Sequence, residues 1–385
     1  MQIRFAASLD EVEASHWNRL AGTDNPFVRH EFLHTLEVSG SVGGHSGWHP
    51  HHLLIEHQGE LLAAAPLYLK AHSWGEFVFD WSWAEAYERH GLAYYPKLVA
   101  ASPFSPVTGA RLLCGDVERG PELRALAARA IRDEARRLGL SSAHGLFPEE
   151  SELSSWEAQG FRHRLGVQYH WHNRDYRDFE DFLAALSSRK RKNIRRERRG
   201  IEHSGIEFQR LRGTAIKASH WRAMERFYRS TFMSRGNPAP LRPGFFAALG
   251  ERMPEAALLI LACRDGEPVA GAFCLQGADT LYGRYWGCDE EISGLHFETC
   301  YYQGIDYCIE QGLQRFEPGA QGEHKVPRGF LPQATHSAHW IAEPAFAAAI
   351  EDFLQREQAM VREYMSGLLE RHNPYRNSGD TEAPG

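Results

Sequence analysis

The sequence predicts an α/β (α+β) protein made of two similar halves, each with mixed sheets flanked by helices. Three observations predict it. An apolar run, a Gly59-Glu60 turn and a second apolar run over residues 52–69 recur over residues 258–275 around Gly266-Glu267, 207 residues later. In both copies small residues follow the turn: Ala63, Ala64 and Ala65, then Ala270, Gly271 and Ala272. β-prone runs bracketing a glycine turn are hairpin signals. After each hairpin an amphipathic helical stretch lies between strand-like segments, which is βαβ character and not that of a helical bundle. Finally, 385 residues exceed the roughly 250–300 that one core usually serves.

The elements follow in order. After the first hairpin, residues 121–138 read as a helix, with Pro121 at its first position, Leu123, Leu126, Ala127, Ala130, Ile131 and Leu138 on one face, and Gly139 as its stop. A strand is expected at 142–146, a short helix at 151–160 and a closing strand at 161–172. The boundary falls at 173–180, giving domains 1–175 and 176–372. The second opens with a basic helix over 179–203. A helix is expected at 220–232, ending in the loop 234–238. Beyond the second hairpin, Phe297, Tyr301, Ile305 and Ile309 share a face of a helix over 297–310 that stops at Gly312. A short strand at 313–316 comes next. A long helix over 346–368 ends the fold, and the tail 373–385 reads as disordered.

Composition narrows the function classes. Hydrophobic content of 43% and charged content of 24% are those of a globular protein, and no run approaches the ~18 apolar residues of a membrane span. No signal-peptide pattern opens the chain, and the six cysteines form no closely spaced framework, so a cytoplasmic location is expected. The net charge of −7 argues against a chain-wide duplex-binding surface. Residues 189–199 are the exception, with eight basic residues and one acid, and they suit an anionic partner. Arg189, Lys190, Lys192, Arg195 and Arg196 are its candidate anion contacts; the alternative is a solvated charged face.

The densest chemistry lies in Glu317-Pro318-Gly319-Ala320-Gln321-Gly322-Glu323-His324-Lys325, followed by Arg328-Gly329-Phe330. A packing loop rarely needs that set, whereas a site at the C-terminal end of a strand often does.

The arrangement of two α/β units, the RKRKNIRR helix between them and the long C-terminal helix resembles the Fem-type (FemAB-like) branch of the GNAT superfamily. The 296–332 block containing GAQGEHK, together with DWSWAEAYERHG at 80–91, is similar to a bacterial group of N-acyltransferases described as peptidoglycan-biosynthesis-like. The resemblance covers nearly the whole chain and implies two tandem GNAT-like domains. It also implies transfer of an acyl or aminoacyl group to an amine, with acyl-CoA or aminoacyl-tRNA as co-substrate, no tightly bound cofactor, and a small amine or an amino-sugar/peptide as acceptor. The stretch 287–296 is acidic and lacks the Q/R-x-x-G-x-G/A turn that binds pyrophosphate in CoA-dependent relatives. The anionic body of a tRNA would suit the basic helix.

Direct aminolysis requires the amine to lose a proton, donors for the developing oxyanion, and a proton for the leaving group. Glu298 and Glu317 are the candidate bases, and Tyr302, beside Tyr301 on the same helix, could donate a proton. A helix-surface acid and a strand-end salt bridge are the alternatives for the two glutamates. His324, Lys325 and Arg328 could contact donor phosphate or substrate carboxylate, with Gln303, Gln321 and Glu323 nearby. Asp80, Trp81, Trp83, Glu85, Tyr87 and Arg89 suit the wall of an acceptor cleft, and Arg284 and Trp286 could line it as well. The 21 histidines lack ligand spacing with cysteines or an HExxH pattern, so no metal is expected. Two other readings stay open: a non-catalytic module that binds RNA or another anion, and a hydrolase using Glu317 and Glu323.

Overall fold

The structure, a computed structural model, describes residues 1–115, 118–234, 236–320 and 322–376. Two compact units divide the chain. The first comprises residues 1–166, 240–252 and 334–361; the second comprises 167–239, 253–333 and the stretch from 362 onward. The described strands are β1 (Gln2–Ala6), β2 (Trp48–Pro50), β3 (His52–His57), β4 (Glu60–Ala65), β5 (Leu67–Lys70), β6 (Lys97–Ala100), β7 (Leu113–Cys114) and β8 (Ser142–Leu146). They continue with β9 (Arg162–His172), β10 (Ile206–Arg212), β11 (Ala257–Arg264), β12 (Glu267–Gln276), β13 (Thr280–Cys288), β14 (Arg315–Glu317) and β15 (Leu331–Ile341).

The repeated hairpin is present in both units, and the copies agree residue by residue. β3–β4 turns at Gln58-Gly59 (φ 51° and 81°) and β11–β12 at Asp265-Gly266 (φ 52° and 81°). Positive φ at both central residues is the turn whose twist suits a two-residue hairpin. Each copy then slips register by one residue at the same place. Ile55 faces Ala63 and Glu56 faces Leu61; Ala262 faces Ala270 and Cys263 faces Pro268. A second irregularity falls at matching positions: Pro66 separates β4 from β5, and its counterpart Phe273 sits where β12 slips register against β13.

Both copies then form a parallel pair joined by a helical crossover. In the first, β6 lies parallel to β8, with the helix Gly120–Arg137 between them in sequence. In the second, β13 lies parallel to β14, with helical residues 295–310 between them. The copies differ between hairpin and parallel pair. The first has residues 71–96 between β5 and β6, including the helix Trp81–Arg89; the second has only residues 277–279 between β12 and β13.

The helix Gly120–Arg137 buries Leu123, Ala127, Ala130 and Ile131 against Leu53, Ile55 and Trp156 in the core of the first unit. In the second unit, Tyr301, Tyr302, Ile305 and Ile309 pack with Leu258, Leu281 and Phe316. Gly304 permits that packing, since a Cβ there would stand 2.4 Å from the Phe316 ring.

The structure moves several expected boundaries. The short helix is Leu153–Glu157 after a tighter turn at Glu150–Glu152, and the strand expected at 313–316 is Arg315–Glu317. The helix expected at 220–232 is Ala218–Met233, and Arg235 of the loop after it lies outside the described residues. The closing helix extends over Pro344–His372. Residues 377–385 of the tail lie outside the described residues, but its first part is held in place: Tyr375 is buried, pairs with Leu186 and donates to the Gly329 carbonyl at 2.7 Å.

Candidate active site

β14 carries Glu317 into the interior of the second unit, where its side chain is 4% exposed. Arg315 Nε stands 3.2 Å from Oε1 and His170 Nδ1 3.9 Å from it, yet neither carboxyl oxygen receives a hydrogen bond. Burial pushes the carboxyl up to about 7, against the opposing charges of Arg315 and Arg284. Burial also holds the His170 ring far below its ordinary pKa, so the histidine stays neutral.

Beyond Pro318-Gly319, residues Glu323–Arg328 form a tight helical turn, where the sequence suggested an open loop. Lys325 and Arg328 turn inward and are buried. Lys325 Nζ donates to the Gly319 carbonyl at 2.6 Å, and burial pushes the amine down to about 7. Gly322 has φ +116°, and a Cβ there would lie 2.2 Å from the His324 ring. The positive φ favours glycine, and an added Cβ would push the His324 ring aside. His324 Nε2 lies 2.8 Å from the Tyr301 hydroxyl. Glu323 is exposed and accepts from the Tyr364 hydroxyl at 2.6 Å. Gln321 lies outside the described residues.

The helix expected at 297–310 begins at Leu295 and contains a π turn over Glu298–Tyr302. Both neighbouring tyrosines of that turn are buried, and their hydroxyls meet different partners. Tyr301 reaches His324, and Tyr302 donates to Glu197 Oε2. Glu298 is buried as well. Its Oε1 accepts from Gln303 Nε2 at 2.9 Å and pairs with Arg198 at 3.1 Å, while Oε2 has no partner. Burial raises its pKa, and Arg198 opposes the rise.

Glu197, the one acid of the basic run, is a site residue that the sequence reading missed. It accepts from Arg328 Nη2 at 2.8 Å and Nε at 3.3 Å as well as from Tyr302. The Arg328 guanidinium also caps the Phe297 ring, its Cζ 3.5 Å from the centroid, and donates to the His324 carbonyl at 2.6 Å. Of the residues named on β13, Trp286 meets the His296 ring at 5.3 Å between centroids, and the Arg284 charge acts on both Glu317 and Lys325.

The basic helix expected at 179–203 is two helices, Phe179–Ala185 and Ser188–Glu202. Residues 374 and 375 bind at the joint: Leu186 bridges Tyr375, and Ser187 N donates to the Pro374 carbonyl at 2.9 Å. A groove of about 580 Å³ follows one face of the second helix, lined by Arg191, Lys192, Arg195, Arg198 and Arg199 with Glu180, Leu183, Ser188 and Glu202. Lys192 and Arg195 of the expected anion contacts line it. Arg189, Lys190 and Arg196 do not, while Arg191, Arg198 and Arg199 take their place.

The residues named at 80–89 belong to the first unit, and half of them face inward. Asp80 is buried and accepts from Lys97 and from the Tyr94 hydroxyl (2.6 Å). Burial pushes its carboxyl up, but Lys97 prevails and holds it at about 2. Trp83 stands edge-on to His339 at 5.0 Å, and Tyr87 packs against Phe346 at 4.2 Å. Trp81 is half-buried beside the exposed Trp74; Glu85 and Arg89 are exposed.

The family model for peptidoglycan biosynthesis/recognition proteins of the FemAB-like type matches residues 8–377. The chain belongs to the FemAB-like family. No curated relative matches the sequence. Among solved structures, FemX is similar to this FemAB-like chain at 12% identity and a TM-score of 0.53, covering 91% of this chain and 100% of its own. L-PGS from Bacillus licheniformis is similar at 11% identity and a TM-score of 0.55, covering 92% and 99%. At such identities the likeness is one of fold, with mixed sheets flanked by helices. Among the described residues of this FemAB-like chain, no helix is long and apolar enough to cross a membrane.

Proposed function

We propose that this FemAB-like protein transfers an acyl or aminoacyl group from an activated donor to an amine by direct attack. One observation carries the reading: Glu317, a buried carboxyl free of hydrogen bonds at the end of a parallel strand, is poised near neutrality by burial. A general base works best with a pKa near the operating pH. In the proposed step the amine nitrogen attacks the donor's carbonyl carbon, the new C–N bond forms, and the amine proton passes to Glu317. The ester or thioester bond then breaks, and the leaving group takes up a proton. Arg284 supplies positive charge to the Glu317 carboxyl, and it and the protonated form of Lys325 would steady the oxyanion. Glu298, held by Gln303 and Arg198, is a second buried carboxyl and is proposed to assist.

The row of five cations in the groove favours an aminoacyl-tRNA as donor over acyl-CoA, and the family's peptidoglycan assignment favours an amino-sugar peptide as acceptor. The half-buried Trp81 and the exposed Glu85 and Arg89 are the candidates for acceptor contact in the first unit. The proposed setting is cytoplasmic. No observation favours the hydrolase reading, since Glu323 points outward to Tyr364.

The test offers the purified protein charged tRNA or acyl-CoA, each with a cell-wall peptide amine, and seeks the new amide by mass spectrometry. Amide formation that falls roughly 100-fold or more in Glu317→Gln is expected. An unchanged rate in that variant removes Glu317 as the base. No amide with either donor, while charged tRNA still binds, points to an anion-binding module.

A further inference from the structure

One side chain is shared between the basic groove and the Glu298 carboxyl. Arg198 lines the groove beside Arg195 and Arg199. Its Nη2 also stands 3.1 Å from Glu298 Oε1 and 3.6 Å from Asp306 Oδ2. The guanidinium lies over the Phe179 ring, 4.2 Å from its centroid, and the side chain keeps 22% exposure. It therefore stands between the core and the groove, within reach of both. The neighbouring Glu197 stays bound to Arg328 and Tyr302, which fixes the helix while Arg198 exchanges partners.

We propose that Arg198 is a positioning residue that couples anion binding in the groove to Glu298. A phosphate or phosphodiester group seated there draws Arg198 away from the carboxyl. Glu298 then faces only the Gln303 amide and the negative charge of Asp306, both from its own helix, and Asp306 in turn feels Arg210 and Glu310. A buried carboxylate stripped of its cation holds a proton more tightly and so is a stronger base. Donor binding would raise the basicity of the second carboxyl only when there is a donor to react. The inference rests on the groove being the seat of an anionic donor.

The experiment needs no turnover. The protein, labelled with carbon-13 at the glutamate carboxyl, is titrated with acid in an infrared cell, and Glu298→Gln identifies the Glu298 band by its loss. Saturating inorganic pyrophosphate, its binding followed by calorimetry, should raise the Glu298 midpoint by roughly 1–3 pH units. In Arg198→Gln the midpoint should already be high and pyrophosphate should not move it, although the remaining cations still bind pyrophosphate, more weakly. Arg198→Lys should restore part of the response and shows that the site tolerates substitution. Pyrophosphate bound to the wild-type protein with the midpoint unmoved overturns the coupling, as does a response that persists in Arg198→Gln. Failure of pyrophosphate to bind overturns it by removing the groove as an anion seat. Failure to find amide formation would sink the transferase reading and leave this result standing.

Discussion

Glu317 sits in surroundings that oppose its charge: burial outweighs Arg315 and Arg284 and leaves the carboxyl titrating at about 7, above its ordinary 4.5. Because the folded pKa exceeds the unfolded one, the contribution to stability is full below about 4.5 and is lost as pH rises through 7. Denaturant titrations should show the wild-type protein losing 1–3 kcal/mol (order of magnitude) relative to Glu317→Gln between about pH 4.5 and 8. Activity should rise as Glu317 becomes a carboxylate and fall again as Lys325 gives up its charge, a bell centred near pH 7, and a rate profile flat through pH 7 would contradict the base assignment. Lys325 loses its proton over the same range as burial lowers it to about 7. Lys325→Met should lower amide formation by about 10–1000-fold while the protein still melts cooperatively.

At the scale of elements, much of the architecture was legible. The 207-residue repeat located both hairpins because a two-residue turn with positive φ leaves a strong local signal at Gln58-Gly59 and Asp265-Gly266. The helix 120–137 was equally readable from its apolar face. The basic run was read as one helix with a charged face, but which residues share that face was not worked out from their spacing. Its groove residues 188, 191, 192, 195, 198, 199 and 202 recur every three or four positions, the spacing of one helix face, and that signal was available. The break at Leu186 was not, because its bridge partner Tyr375 is nearly 190 residues away. Glu197 was hidden for the same reason: its partners Tyr302 and Arg328 are distant in sequence. Charge reversal of Arg195 and Arg199 together should weaken polyanion binding and cut its salt dependence by about two ion equivalents in a filter-binding series. Gly322→Ala should cost about 1–3 kcal/mol and displace His324 from Tyr301, visible as a changed His324 imidazole resonance.

Across the whole molecule, the chain passes between the two units five times, at 166/167, 239/240, 252/253, 333/334 and 361/362. Cutting the chain at the expected boundary therefore removes residues that each unit needs. A fragment of residues 1–175 lacks β15 residues Ala338 and Trp340 from its core, together with Ile350 and Leu354. That fragment should show no cooperative melting by circular dichroism, and a sharp transition would contradict the partition.

The crossover pairs set Val99 beside His144 in the first unit and Tyr282 beside Glu317 in the second, so His144 occupies the rung that the candidate base holds in the other copy. There the ring is saturated: Ser142 Oγ and His339 Nδ1 each lie 2.8 Å away, and Tyr94 and Trp83 from the 71–96 excursion close over it. A single His144→Glu exchange would thus bury an acid under a sealed ceiling and would not awaken a twin reaction centre. The frame occurs twice, and the 71–96 excursion fills one of its two interiors.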